Sequence, residues 1–226
     1  MTDRSAGTNL TTDGESWITE KVIDTSIVNF NALWNHAPAE TSSVMVYNKD
    51  SSAPEWVETK CRRKYGSYMQ TPSFNRHIRK SYMFSGSKGD EIHAELPVEF
   101  QPLLESINHA TGQVHNQVVI NWYEAEKDSI PSHSDWTDGL EPGSSISVLT
   151  LTPAGQKDEA LRKFQLFPRE TCTNAVYDSL EIPLTDGLLL TMHGKTQDTY
   201  RHGVPKLSDS DAPCRRISMT VRRYRA

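Results

Sequence analysis

From Gln117 onward the chain is a succession of short β-favouring runs cut by turn signals, and this punctuation constrains its fold more than any other feature. Positions 118–123, 145–151, 164–167, 177–184, 187–192 and 216–224 are rich in β-branched, aromatic and aliphatic residues. Asp138-Gly139, Pro142-Gly143 and Asp186-Gly187 lie between them and supply the chemistry of tight turns. Strands of this kind must cover their apolar faces with other strands, so a sandwich or barrel is expected. A double-stranded β-helix, or jelly roll, fits the count.

The N-terminal half carries a different period. Ile27, Phe30, Leu33 and Trp34 recur at helical spacing ahead of Pro38, and Phe100, Leu103, Leu104 and Ile107 do so between Pro97 and Gly112. These spacings predict two amphipathic helices packed on the outside of a sheet. The expected class is mainly β, of the α+β kind, with N-terminal buttressing helices.

A chain of 226 residues suits one domain of this type. Residues 17–226 are read as that domain, and the polar segment 1–16, rich in Thr, Gly and Asp, is expected to fray. No apolar run approaches the ~20 residues that cross a bilayer, and the first residues lack the apolar core of a signal peptide. Cys61, Cys172 and Cys214 are few and scattered, which is neither a disulfide framework nor a zinc pattern. A reducing interior, cytoplasmic or nuclear, is the expected compartment. No membrane and no obligate protein partner is indicated.

The charge distribution is uneven. Between positions 60 and 88 there are eight basic residues and no acid, so the remainder of a chain of net charge −5 carries −13. Tyr65, Tyr68, Phe74, Tyr82 and Phe84 are interleaved with those cations. Positive charge for phosphates and flat rings for bases suit single-stranded nucleic acid. The same pattern also describes a solvated face over a core of aromatics.

Three residues carry metal chemistry. His133 and Asp135 are two positions apart and share one side if the backbone is extended, and a later His202 can be returned beside them by a hairpin-rich sheet. Two imidazoles and a carboxylate on one face of a ferrous ion leave the other face open, as in non-haem Fe(II) oxygenases. Taken singly, each has an ordinary reading: a surface histidine, a turn former, a strand end. The run from Arg216 to Arg222 changes the balance. Arg216, Ser218, Thr220 and Arg222 alternate with Ile217, Met219 and Val221, and the two arginine backbones stand roughly 20 Å apart along a strand. Inward-reaching guanidinium groups then leave a gap for a short dicarboxylate. Asn121 and Tyr123 share a face opposite Trp122 and can serve the same ligand.

With these residues in view a family resemblance is evident. The order Asn121-x-Tyr123, His133-x-Asp135, a block from Gly187 through Met192, Gly194, Thr196, Gln197, Tyr200 and His202 to Val204-Pro205, and Arg216-x5-Arg222 resembles the AlkB-like 2-oxoglutarate- and Fe(II)-dependent dioxygenases. Lys64-Tyr65-Gly66 and Tyr82-x-Phe84-Ser85-Gly86 resemble that family's nucleotide-recognition lid, placed here at 60–88. The resemblance implies iron ligands His133, Asp135 and His202, and 2-oxoglutarate contacts from Asn121, Tyr123, Arg216 and Arg222, with Ser218 on the same face. The lid resemblance places substrate contacts at Lys64, Tyr65, Tyr82 and Phe84; the basic run adds Arg62 and Arg63, and Trp136 beside Asp135 is a further candidate. Three departures stand out: Ser218 where DNA-repair members have Asn, Thr137 where some relatives have an acid, and a longer stretch from Thr150 to Phe167 in which Arg162-Lys-Phe164 is similar to the family's arginine and aromatic.

The implied reaction consumes Fe(II)-bound O2 and 2-oxoglutarate and oxidises a C–H bond. An N-methyl substrate would lose formaldehyde. Oxidative demethylation of alkylated DNA or RNA, with a duplex base flipped out, is one reading. Hydroxylation of a small molecule, such as a secondary metabolite or amino-acid derivative, under a 60–88 lid is another, and a non-catalytic jelly-roll binding module is a third. The intact ligand trio and arginine pair oppose the third.

Overall fold

A computed structural model describes residues 7–41, 43–48, 55–69, 87–88, 94–155, 162–207 and 215–225. Its strands, β1 to β15 in chain order among the described residues, form three sheets. The major sheet runs β1 (Thr8–Asn9), β2 (Ser16–Val22), β13 (Leu188–Gly194), β10 (Ile146–Leu151), β15 (Arg216–Arg222), β8 (Gln117–Tyr123), β5 (Lys64–Met69), β7 (Ala94–Glu95). Neighbours are antiparallel except for β5 and β7. The minor sheet runs β12 (Leu180–Pro183), β11 (Lys163–Pro168), β14 (Tyr200–Val204), β9 (Ile130–His133). A small third sheet holds β4 (Glu55–Lys60), β3 (Ser43–Asn48) and β6 (Ser87–Lys88).

Strands β8, β10 and β15 are buried at every position, because the major sheet is covered on both faces. That explains the apolar residues on both faces of β8 and β10, while β15 keeps its alternation of polar and apolar residues. One face packs with Leu33, Leu103, Leu104 and Ile107 of helices α1 (Phe30–Trp34) and α2 (Gln101–Thr111). The other meets the minor sheet through Val148, Leu190, Phe164 and Leu166. Asn29 caps α1 by accepting from the amides of Asn31 and Ala32, as expected for an N-cap asparagine. A 3-10 turn at Val98–Phe100 leads into α2, which stops at Gly112 in the left-handed conformation (φ 68°). Glycine is the ordinary residue for that cap.

The described residues bear out a mainly β jelly roll, and three details differ from the sequence expectation. First, residues 7–16 do not fray. Leu10 is fully buried, Thr11 bridges to Ala175, and the Tyr200 hydroxyl donates to the Leu10 carbonyl at 2.8 Å. Residues 1–6 lie outside the described residues. Second, part of the basic segment 60–88 belongs to the major sheet: 64–69 is strand β5, paired with β8 from Lys64↔Trp122 to Met69↔Gln117, and residues 70–86 lie outside the described residues. Tyr65 and Tyr68 are therefore buried, and the aromatics there serve the sheet and its core. Third, α1 begins at Phe30, not near Ile27, because the Asn29 cap starts it; Ile27 is left 49% exposed. Among the described residues no helix is long and apolar enough to cross a membrane.

Candidate active site

The space between the two sheets opens into a pocket of about 450 Å³, mouth included, and each sheet brings one half of the chemistry. In the major sheet, β8 and β15 pair with Tyr123 opposite Arg216, Asn121 opposite Ser218, Val119 opposite Thr220 and Gln117 opposite Arg222. Alternation then decides which side chains face where. Ile217, Met219 and Val221 enter the helix-side core, while Arg216, Ser218, Thr220 and Arg222 line the pocket with Val119, Asn121 and Tyr123.

The minor sheet and the residues just after it bring together the candidate metal donors. His202 on β14 is the direct register partner of His133 on β9, so the ring centroids are 4.4 Å apart. Asp135 follows β9, and one donor atom from each of the three residues lies within 4.8 Å of the others. His133 Nε2 is 3.8 Å from Asp135 Oδ1, and His202 Nε2 is 3.9 Å from Asp135 Oδ2. The backbone steps aside at Gly203, where β14 and β9 shift register. A Cβ on Gly203 would lie 2.9 Å from the Ile130 carbonyl oxygen, closer than the strands allow.

The electrostatics prepare a donor set. Burial pushes the His202 imidazole down to about 3 and lowers His133 as well, so both rings are neutral near pH 7. Burial alone would raise Asp135, but Arg222, His202 and His133 outweigh it and hold the carboxyl at about 2. Arg222 Nη2 donates to Asp135 Oδ1 at 2.7 Å, which leaves Oδ2 buried and without a hydrogen-bond partner. The Pro131 carbonyl oxygen is 2.9 Å from His133 Nδ1; a proton on Nδ1 satisfies that carbonyl and frees the Nε2 lone pair, the usual outer-shell arrangement for a metal-binding histidine. Phe164 stacks on His202 at 5.2 Å and 16°. A divalent ion fits this trio in charge, donor type and spacing.

Across the pocket, Arg216 is 1% exposed, and its Nε and Nη1 have no hydrogen-bond partner. Its Nη2 reaches Thr150 Oγ1 at 3.4 Å, and its Cζ is 4.8 Å from the centre of the Tyr123 ring. A buried guanidinium with spare N–H groups calls for an anion. Arg222 is engaged differently, with Asp135 and, through Nη1, with Gln117 Oε1 at 3.0 Å. Asn121 donates to Ser218 Oγ at 3.4 Å and accepts from Arg63 Nε at 2.6 Å.

The expected substrate contacts do not gather in the same way. Arg62 is exposed, but Arg63 is 5% exposed against Asn121, and Lys64 pairs with Glu124 at 3.3 Å. Tyr65 is buried with Arg63 over its ring, so that of Arg62, Arg63, Lys64 and Tyr65, expected as substrate contacts, Arg62 is the exposed one. Trp136, beside the ligand Asp135, is 36% exposed. Tyr82 and Phe84 lie outside the described residues.

Sequence reasoning missed Gln117, and gave Gln197, Phe164 and Arg162 no role beyond their place in the family-like pattern. Gln117 was detectable, because it continues the alternation of Asn121 and Tyr123. Arg162 was not: it is fully buried, donating to the carbonyls of Ala125, Asp128 and Pro205, beside the Tyr123 ring. His193 stacks on Trp17 and meets Thr19 Oγ1.

A family profile described as the 2OG-Fe(II) oxygenase superfamily matches residues 34–222, which includes every donor and anion-facing residue just described. The chain belongs to that superfamily. Within it the similarity is to AlkB-type members. The chain is 34% identical over 120 residues to alpha-ketoglutarate-dependent dioxygenase alkB homolog 3 of Rattus norvegicus, covering 53% of this chain and 39% of that protein. To the Homo sapiens protein of the same name it is 33% identical over 120 residues, covering 53% and 40%. It thus spans about 40% of the length of these curated relatives. The solved structure of OsALKBH1 superposes with a TM-score of 0.51 at 13% identity, over 93% of this chain and 97% of that one, a likeness of fold.

Proposed function

We propose that the protein is an Fe(II)- and 2-oxoglutarate-dependent dioxygenase that oxidatively demethylates alkylated nucleobases in DNA or RNA. The observation that carries the reaction class is the facing of two incomplete half-sites: a neutral, neutral, anionic donor trio with Asp135 Oδ2 unpartnered, and Arg216 with two unpartnered nitrogens. Each half lacks a ligand, and Fe(II) with a dicarboxylic 2-oxo acid completes both.

In this reading His133, Asp135 and His202 hold the iron, and Arg222 fixes the Asp135 carboxylate so that Oδ2 faces it. Arg216 receives the carboxylate of 2-oxoglutarate remote from the metal, with Thr150 and Tyr123 holding the guanidinium. Asn121 and Ser218 line the path between. When bound, the iron couples oxidative decarboxylation of 2-oxoglutarate by O2, to succinate and CO2, with oxidation of a substrate C–H bond. The protein's share is binding, orientation and exclusion of water. A hydroxylated N-methyl group then releases formaldehyde and the free amine.

The nucleic-acid substrate is supported by the AlkB-type relatives and by two exposed side chains, Arg62 and, next to Asp135, Trp136, a cation for phosphate and an indole for a base. The burial of Arg63 and the pairing of Lys64 favour the second reading, hydroxylation of a small molecule, because they thin the phosphate-binding strip. Anaerobically prepared Fe(II) protein exposed to O2 with N-methylated oligonucleotides or a metabolite panel separates the two. Equal yields of succinate and formaldehyde from the oligonucleotides are expected. Succinate stimulated only by a metabolite would replace the nucleic-acid reading.

A further inference from the structure

Gln197 belongs to the most family-like block of the sequence, yet neither the metal nor the anion half-site uses it directly. It lies in the single turn α3 (Thr196–Thr199) between β13 and β14, and its side chain is buried, at 8% exposure. Its Oε1 accepts the backbone N–H of Asp135 at 2.8 Å, and its Nε2 donates to Met192 Sδ at 3.2 Å. A sulfur acceptor on one side and an N–H donor on the other fix which way the amide points. One residue away, Ser134 Oγ donates to the Tyr200 carbonyl at 3.0 Å.

These two bonds tie the residues just after β9 to the turn and strand that carry Gln197 and Tyr200. Asp135 lies two residues beyond the end of β9, at a lone bridge position, whereas His202 sits in the middle of β14. The His133↔His202 register fixes the two imidazoles relative to each other, but it does not fix the carboxylate. Asp135 is fixed from two directions: Arg222 holds its side chain, and Gln197 holds its main chain.

We propose that Gln197 is a positioning residue for the metal site, setting where the Asp135 carboxylate stands relative to the two histidines. The proposal rests on the reading of His133, Asp135 and His202 as metal ligands. Outer partners that orient ligands typically contribute about 10- to 100-fold to metal affinity. Gln197→Met keeps the bulk and removes the acceptor. Gln197→Glu keeps an acceptor oxygen in the same place.

The test is affinity for Co(II), measured by chelator competition and by its ligand-field spectrum, in wild type and both variants, with urea midpoints recorded in parallel. The Met variant is expected to bind Co(II) about tenfold more weakly with an altered spectrum, and the Glu variant to retain wild-type affinity or better. Unchanged affinity and spectrum in the Met variant would overturn the proposal while leaving the metal site standing. Equal loss in both variants, or failure of both to fold, would make Gln197 a packing residue and overturn it as well. A wild-type protein that binds no Co(II) would remove the metal-site reading, and the proposal with it.

Discussion

Arg222 and Asp135 form a buried ion pair, Nη2 to Oδ1 at 2.7 Å with both side chains no more than 5% exposed, and through it the last strand of the fold reaches the metal-donor trio. Removing one partner of such a pair strands the other charge in a dry site, typically at about 3–5 kcal/mol. Arg222→Met should lower stability by that order in urea unfolding and weaken divalent-metal affinity together. The Asp135→Asn/Arg222→Met double variant should recover part of the stability. Additive losses in that cycle would mean that the pair is not coupled.

Replacing His133 or His202 with Ala should abolish stoichiometric iron and metal-dependent succinate formation. Iron content by metal analysis after anaerobic loading checks this directly. A His202→Ala protein with one tightly held iron and full turnover would refute the ligand set.

Arg216 makes a separable prediction. Arg216→Met should weaken 2-oxoglutarate by roughly 100-fold, the order of two charge-assisted hydrogen bonds, with metal affinity unchanged. Anaerobic titration calorimetry of the Mn(II) protein with 2-oxoglutarate reads both. Equal losses of metal and co-substrate would argue that Arg216 holds the fold and not the anion.

A third kind of prediction concerns acid. His115 is fully buried with Nε2 unpartnered, and burial, with Arg223 nearby, pushes its imidazole down to about 4. The unfolded chain, with an ordinary histidine near 6.5, binds a proton that the folded chain refuses. Stability from this group is therefore complete above about 6.5 and is lost as pH falls from there towards about 4, by up to roughly 3 kcal/mol. Urea midpoints between pH 7 and 5 should fall less steeply in His115→Gln, whose side chain does not titrate. An identical slope would place the acid sensitivity elsewhere.

For the substrate, Trp136→Ala should reduce turnover of methylated oligonucleotide by an amount equivalent to about 1–3 kcal/mol, the range for base stacking on an aromatic ring. Substrate-free decarboxylation of 2-oxoglutarate should persist. Arg62→Ala should lower the salt dependence of oligonucleotide binding by about one counterion. Unaltered oligonucleotide kinetics in Trp136→Ala would place the base elsewhere.

Much of this was legible before any coordinates. Strands β8, β10 and β15 announce themselves by their β-favouring runs, and His133, Asp135 and His202 stand out through their order together with the arginine strand, since each alone has an ordinary reading. Strand β5 was hidden by its composition. Lys64 and the nearby arginines gave the segment the look of a surface, yet Tyr65 pairs with Asn121 and Tyr68 with Val118 inside the main sheet. Arg63 and Arg162 illustrate a different limit. A buried cation is made tolerable by partners far along the chain, such as Asn121 for Arg63 and Pro205 for Arg162, and no local pattern announces such partners. Gln197 is legible as a motif letter, but its role depends on meeting the Asp135 amide 62 positions away.

The pairing of β8 with β15 makes the site's fate all-or-none with respect to chain length. Every pocket-facing group on these strands occupies alternate positions, and the residues between them belong to the helix-side core. A single residue inserted within β15 would turn Met219 or Val221 towards the pocket and an arginine into the apolar layer, for the strand period is two. Within these two strands, exchange of one side chain for another preserves that order, whereas a change of length does not.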